Sequence, residues 1–257
     1  QIDVKSSRLG TKIIDLYSLY KRFDDKVLLD DFTYQFKRGE KVGIVGSNGI
    51  GKTTLLNIIV GNEPCDKGKI EIGTTIRIGY YKQENEAFNN NKRVIEVIQE
   101  IAEDIAMGDG RRLSPTQFLN YFLFPPSMHY SYISKLSGGE RKRLYLMTIL
   151  MHSPNFLILD EPTNDLDLDT VTWLENYLSE FENTVLVVSH DRHFLDAICT
   201  HTIDIDYNRI QMFAGNYSFW YESSQLALRQ QQMQNKKAEE KKKELEEFIR
   251  RFSANVA

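Results

Sequence analysis

Residues Leu136 to Asp167 read LSGGERKRLYLMTILMHSPNFLILDEPTNDLD, and this stretch decides the fold. Ser137 and Glu140 form an S-x-x-E capping box, which marks a helix N-terminus. Gly138 and Gly139 leave the amides of that first turn uncovered. A helix start with open amides and the positive end of its dipole favours an anion. Phe156 to Leu159 is an unbroken apolar run bounded by Pro154 and Asp160. Such a run suits a central parallel strand covered on both faces. Asp160 and Glu161 follow at its carboxyl end, where open α/β sheets bind ligands.

A second local signal lies upstream. Lys41 to Val45 is a short apolar strand that runs into Gly46, Ser47, Asn48, Gly49, Ile50, Gly51, Lys52, Thr53 and Thr54. This is a complete G-x-x-x-x-G-K-[ST] loop, placed between a strand and the helical pattern TTLLNIIV. The glycines let backbone amides close around phosphates. Lys52 is placed to reach the β/γ-phosphates, and Thr53 offers a hydroxyl to Mg²⁺. Downstream, Thr184 to Val188 reads as another buried strand and delivers Ser189-His190-Asp191 to the same kind of strand end. A lone His is most often structural, and His129, His152, His193 and His201 carry no comparable signal.

Composition bounds the remainder. The 257 residues hold one large domain or two small ones, with 41% hydrophobic and 26% charged residues. The net charge of -4 gives the whole chain no basic footprint, so a nucleic-acid contact needs a local patch. Cys65 and Cys199 match no metal spacing and read as reduced packing residues of a cytosolic protein. No apolar run approaches the ~18 residues of a membrane span, and no signal-peptide pattern is read.

Residues 1–11 are polar and read as a tail. Lys12 to Tyr17, Phe32 to Phe36 and Ile76 to Tyr81 read as strands of an antiparallel lobe. Val94, Ile95, Val97, Ile98, Ile101 and Ile105 fall at helical spacing, Met107 to Pro115 breaks the pattern, and Phe118 to Phe124 is a second helix stopped by Pro125-Pro126. The cluster YFLFPPSMHYSY near Arg111-Arg112 reads as packing, with base stacking as the alternative. Asp169 to Glu180 is a helix. From Ser218 the composition shifts to Gln, Lys and Glu, which reads as one long exposed helix with Glu239–Lys243 and Glu246–Arg250 as i, i+4 pairs. Its apolar residues, Leu226, Met233, Leu245, Phe248, Ile249 and Phe252, make too thin a stripe to fold without a partner.

Taken together, the P-loop, Gln83, LSGGE, LILDEP and SHD stand in the order of an ATP-binding cassette (ABC) ATPase, and the chain resembles that family over residues 12 to about 215. EPTNDLD resembles the form typical of ABC-F proteins, soluble members that act on ribosomes. GNYSFWYE with the Lys/Gln-rich helix and EFIRRFSANVA looks like the ABC-F interdomain linker, which approaches tRNA and ribosomal RNA. Up to about Asp167 the chain is most similar to the second cassette of Uup-like proteins. From Leu168 it is most similar to the first cassette and linker of YbiT-like proteins, as a recombinant chain would be. Asp165 departs from the histidine usual in the YbiT-like version.

The resemblance implies a fold and a set of roles. The fold class is α/β, a P-loop ABC cassette with a mostly parallel central sheet, an antiparallel β lobe and an α-helical subdomain at about 92–135. The cassette would span 12–217, with a partial linker helix at 218–257. ATP and Mg²⁺ are the implied cofactors. Phe23 is the candidate for stacking on adenine, with Tyr20 as the alternative. Thr53, Gln83 and Asp160 would hold Mg²⁺. Glu161 would polarise the attacking water and His190 would contact the γ-phosphate. Leu136, Ser137, Gly138, Gly139 and Glu140 form the signature, which serves a facing second cassette. The implied partners are that cassette and the ribosome, reached through the linker helix, in the cytoplasm and with no membrane insertion. Two alternatives share the catalytic motifs. One is the motor subunit of an ABC membrane transporter, which leaves the charged helix unexplained. The other is a DNA-associated Uup-like ATPase, which the net charge does not favour.

Overall fold

A computed structural model describes residue 10 and residues 12–23, 26–83, 88–102, 105–106, 112–206 and 209–254, with side chains up to residue 247 apart from those of Lys26, Ile105, Ala106 and Arg209. The tail at 1–9, the expected break at 107–111 with Arg111, and the side chains of Phe248, Ile249, Arg250, Arg251 and Phe252 lie outside the described residues. The chain divides into two units, residues 1–217 and 218–257.

In chain order the first unit runs β1 (Ile14–Phe23), β2 (Lys26–Gln35), β3 (Lys41–Val45), α1 (Lys52–Ile59), β4 (Lys67–Ile72), β5 (Ile78–Tyr81), α2 (Val94–Ile101), β6 (Ile105–Ala106) and β7 (Arg112–Leu113). It continues with α3 (Pro115–Tyr121), α4 (Pro126–His129), α5 (Gly138–Met151), β8 (Phe156–Asp160), α6 (Leu168–Glu180), β9 (Thr184–Val188), α7 (Arg192–Ile198), β10 (His201–Asp206) and β11 (Arg209–Phe213). A final helix, α8, covers Tyr217–Ala254.

The main sheet has the order β11-β10-β3-β9-β8-β5, parallel throughout except for β11. Its central strands β3, β8 and β9 are buried along their whole length. Ile44, Phe156, Ile158, Leu186 and Val188 share one apolar cluster with α1 and the antiparallel lobe. Leu157, Leu159, Val185 and Val187, one residue out of phase, are buried as well. Strand side chains alternate between faces, so both faces of this sheet are covered.

The antiparallel lobe is β2-β1-β4, which corrects one expectation. Ile76–Tyr81 contributes β5 to the edge of the parallel sheet and not to the lobe. The reason is Asn155, a fully buried residue. Its side-chain oxygen accepts from the Arg77 amide at 2.7 Å and its side-chain nitrogen donates to the Thr75 carbonyl at 2.9 Å. The amides of Asn155 and Phe156 both donate to the Arg77 carbonyl, at 3.0 and 3.2 Å. A buried amide must satisfy its donors and acceptors, and doing so pins this segment beside β8. The third lobe strand is β4, whose residues KGKIEI are largely exposed and give little apolar signal.

Ile105 is a second correction, since it pairs with Leu113 in a two-residue β ribbon and does not extend α2. The aromatic cluster divides. Phe118, Phe122 and Phe124 are fully buried, and Phe122 meets Trp173 of α6 with ring centroids 4.6 Å apart. Tyr130 and Tyr132 remain exposed.

In α8 Lys242 pairs with Glu246 at 4.0 Å, whereas the expectation was Glu239 with Lys243. The Glu246–Arg250 expectation falls on an undescribed side chain. No helix of the described residues is long and apolar enough to cross a membrane.

Phe36 and Phe156 meet edge to face at 5.2 Å and join the lobe to the main sheet. Truncating Phe156 to Ala removes that contact at a fully buried site. The variant is expected to lose about 3–5 kcal/mol of unfolding free energy, read from urea midpoints at unchanged m value.

Candidate active site

Strand order brings the sequence motifs together. β3, β9, β8 and β5 are adjacent and parallel, so the segments after them leave the sheet at one edge. After β3 comes the Gly46–Thr54 loop, after β9 Ser189-His190, after β8 Glu161, and after β5 Gln83. A cleft of about 470 Å³ lies there, lined by Asn48, Gly49, Gly51, Lys52, Thr53, Thr54, Gln83, Asp160, Glu161, Asn164, Val188 and His190. Ligand clefts at this edge are the rule for open α/β sheets.

Lys52 begins α1 and is buried. Its ammonium donates to the carbonyls of Gly46 at 2.8 Å and Ser47 at 3.2 Å, so the loop curls around its own cation. The Ile50 amide donates to the Ser47 carbonyl at 3.3 Å. Burial lowers the Lys52 pKa, and the charges of Glu161 and Asp160 oppose that shift.

Asp160 is 2% exposed. One carboxylate oxygen accepts the Thr53 hydroxyl at 3.0 Å, while the other, Oδ1, is buried with no hydrogen-bond partner. Burial raises its pKa, against the Thr53 hydrogen bond and the Lys52 charge. An unpartnered carboxylate oxygen beside a hydroxyl, in a cleft that Gln83 also lines, fits a hard cation such as Mg²⁺. Among the described residues no group of three or more His, Cys, Asp or Glu is arranged to hold a metal alone. A cation here would therefore take its remaining ligands from phosphate oxygens and water.

Glu161 stands in the left-handed region at φ 52°. For a residue other than glycine this stores roughly 1–3 kcal/mol of strain, a feature that clusters at functional sites. Its amide donates to the Val188 carbonyl at 2.8 Å, which holds the turn against β9. One carboxylate oxygen accepts the His190 amide at 3.2 Å, and the other lies 3.3 Å from His190 Nε2. The Glu161 side chain is 6% exposed and that of His190 is 55% exposed, so the carboxylate is sheltered and the imidazole faces outward. Burial raises the Glu161 pKa, opposed by the nearby His190.

The remaining expected residues lie elsewhere. Phe23 is half exposed at the end of β1 and is not among the cleft-lining residues. Its ring carries the Lys21 ammonium at 4.8 Å, and Tyr20 likewise carries that of Lys67 at 5.4 Å. Leu136–Glu140 also stays outside the cleft. Its capping box forms as read, with the Ser137 amide donating to Glu140 at 2.8 Å and the Glu140 amide to the Ser137 hydroxyl at 3.2 Å. Gly138 is open, since a Cβ there would meet nothing within 4 Å. Asn164 lines the cleft and was not singled out from the sequence; its place three residues beyond Glu161, in the same turn, was the available signal.

A carboxyl group whose pKa is higher folded than unfolded binds its proton more tightly when folded. Its ionised form lowers stability above the folded pKa, and the loss is relieved as pH falls to the unfolded value. Asp160→Asn, which keeps an oxygen for Thr53, should therefore raise the melting temperature at pH 7 without nucleotide or divalent cation. The advantage should shrink as pH falls toward the ordinary value of 3.8. Differential scanning fluorimetry across pH reads this, and an unchanged or lower melting temperature at pH 7 would refute it.

Comparison with known proteins agrees with this geometry. The ABC transporter family model matches residues 29–164, and a second ABC transporter model matches residues 203–257. The chain is 46% identical over 222 residues to the uncharacterized ABC transporter ATP-binding protein YfmR of Bacillus subtilis, covering 86% of this chain and 35% of that protein. It is 38% identical over 216 residues to the energy-dependent translational throttle protein EttA of Escherichia coli, covering 84% and 39%. To the ATP-binding protein Uup of Escherichia coli it is 34% identical over 256 residues, covering 98% and 40%. The chain thus spans well under half the length of these three relatives. Among solved structures, the ATP-binding subunit of an ABC transporter superposes with a TM-score of 0.65 at 21% identity, covering 79% of this chain and 90% of that one. With the P-loop, Gln83, the buried carboxylate pair and His190 gathered at one sheet edge, the chain belongs to the ABC transporter family, as an ATP-binding cassette of the ABC-F type.

Proposed function

We propose that this cassette binds ATP with Mg²⁺, hydrolyses it to ADP and phosphate when a second cassette completes the site, and acts on the ribosome in the cytoplasm. The observation that carries the hydrolytic reading is the sheltered Glu161 carboxylate. It sits beside the unpartnered Asp160 oxygen, in one cleft with the P-loop. Lys52 and the loop amides would hold the triphosphate, turning from the Gly46 and Ser47 carbonyls to the phosphates. Thr53, Gln83 and Asp160 would hold Mg²⁺, whose charge stabilises the transferring phosphoryl group. Glu161 takes the proton of the attacking water as general base, and its raised pKa makes it a stronger base than an ordinary carboxylate. His190 lies exposed beside it, where it meets the γ-phosphate. Phe23 would take the adenine on the ring face not covered by Lys21.

The second cassette enters because Leu136–Glu140 is absent from this chain's own cleft. An open helix start at Ser137–Gly139 serves a phosphate only across an interface. The ribosomal part leans on the similarity to EttA, a translational throttle by name, and on the helix from 218 onward. Between Arg229 and Arg251 lie eight basic residues against five acidic ones, a balance of +3 in a chain of net -4. Residues 1–11 would be a tail, 12–217 the cassette and 218–257 part of an interdomain linker. A transporter motor shares the whole cleft, and the family description favours it as the second reading.

Two measurements test these statements. Glu161→Gln should keep ATP affinity and lose ~10²–10⁴-fold in hydrolysis, whereas Lys52→Ala should weaken binding itself. Normal turnover by the Gln variant would remove Glu161 from the mechanism. For the partner, the full chain should sediment with ribosomes in low salt and be released as salt rises. Changing Lys241, Lys242 and Lys243 to Gln should lower the salt slope by about 2–3. Sedimentation with membranes instead would favour the transporter reading.

A further inference from the structure

The loop after β8 is tied to α5 at more than one place. Lys142 donates from its ammonium to Asp165 Oδ2 at 2.6 Å and to the Asn164 carbonyl at 3.2 Å. The Lys142 side chain is 15% exposed and that of Asp165 is 73% exposed, so the lysine stem is packed and the pair closes at the surface. One turn further on, Asp167 caps α6 by accepting the Thr170 amide at 2.8 Å. Arg143 donates to the Thr170 hydroxyl at 3.0 Å and lies 3.8 Å from Asp167 Oδ2. Gly139 allows the close approach, since a Cβ there would stand 2.5 Å from the Asp165 carbonyl oxygen.

The loop needs an outside tie. Both Glu161, at φ 52°, and Asp165, at φ 62°, occupy the left-handed region. The turn bonds between them, Asn164 amide to Glu161 carbonyl and Leu166 amide to Thr163 carbonyl, are each 3.3 Å, beyond the usual N–H···O range. Such a loop is weakly held by its own backbone, yet it carries Glu161 and Asn164 into the cleft. The helix that holds it begins at the Ser137–Glu140 capping box.

We infer that Lys142 is a positioning residue. Its ammonium fixes the Asn164–Asp165 turn to α5, so that the cleft's own loop and the signature helix start keep one spacing. For its activity readout the inference rests on the hydrolytic reading above; for its structural readout it does not.

The test uses the full chain as wild type, Lys142→Met, Asp165→Asn and the double variant. Asn is chosen because it also tolerates the left-handed backbone. Amide exchange at Asn164 and Leu166 should quicken about fivefold in Lys142→Met, as expected for one pair with an exposed partner, with Phe156–Leu159 unchanged. The double variant should exchange no faster than Lys142→Met alone, because Lys142 makes both ties to the turn. Hydrolysis at saturating ATP should fall roughly tenfold with nucleotide affinity held within about twofold, because misplacement lowers kcat without removing a binding contact. Wild-type exchange at Asn164 and Leu166 in Lys142→Met, additive effects in the double variant, or a loss of affinity matching the loss of kcat would each overturn it. If the wild-type chain shows no hydrolysis with a second cassette supplied, the ATPase reading fails, and the exchange measurement alone decides the role of Lys142.

Discussion

Val188 pairs with Ile44 on one side and with Asp160 on the other, and this register is the constraint on which the site depends. It sets the ends of β3, β9 and β8 at one level, so the P-loop, His190 and the carboxylate pair leave the sheet together. β5 joins the same row through Tyr81 opposite Leu159 and brings Gln83. A slip of one residue in any of these strands would turn its buried side chains to the other face. It would also carry its catalytic turn about 3.3 Å along the strand. Because both faces are packed, the core that stabilises the sheet also fixes the positions of the reactive groups.

That edge is a poor place for stability. Asp160 and Glu161 are both held above their ordinary pKa by burial, and Lys52 is held below its own. Asp160 keeps an oxygen without a partner, and Glu161 sits in a strained backbone conformation. Each of these lowers the stability of the cassette. Local violations of folding rules at a functional site are the expected pattern. The offset comes from residues such as Phe36, Phe156 and Ile158, which are buried in the core and do not line the cleft.

The loop from Glu161 to Asp167 links the two halves of the proposed mechanism. Its first residue carries a carboxylate into its own cleft, and its last residues are gripped by Lys142 and Arg143 of α5. The long helix from Tyr217 belongs to a different physical regime, with exposed charges and a Lys242–Glu246 pair at 4.0 Å. Exposed pairs of that length add little stability.

Gln83 was marked only by the resemblance to ABC cassettes, whereas the sequence alone identified the P-loop, the capping box at Ser137 and the strands that end in Asp160-Glu161 and Ser189-His190. These are readable because each is local: a few residues of defined type dictate a turn, a cap or a strand end. Only the tertiary structure decided which strands are neighbours. Ile76–Tyr81 carries a strand pattern, but nothing in that pattern says that the buried Asn155 will claim Thr75 and Arg77 and draw it to the parallel sheet. β4 escaped notice because its exposed residues bury too little apolar surface to mark it. The burial of Phe118 and Phe122, the place of Asn164 in the cleft and the grip of Lys142 on Asp165 likewise depend on contacts between segments distant in the chain. Spacing along a chain fixes local backbone geometry, whereas the partner of a side chain is fixed by what else must be buried beside it.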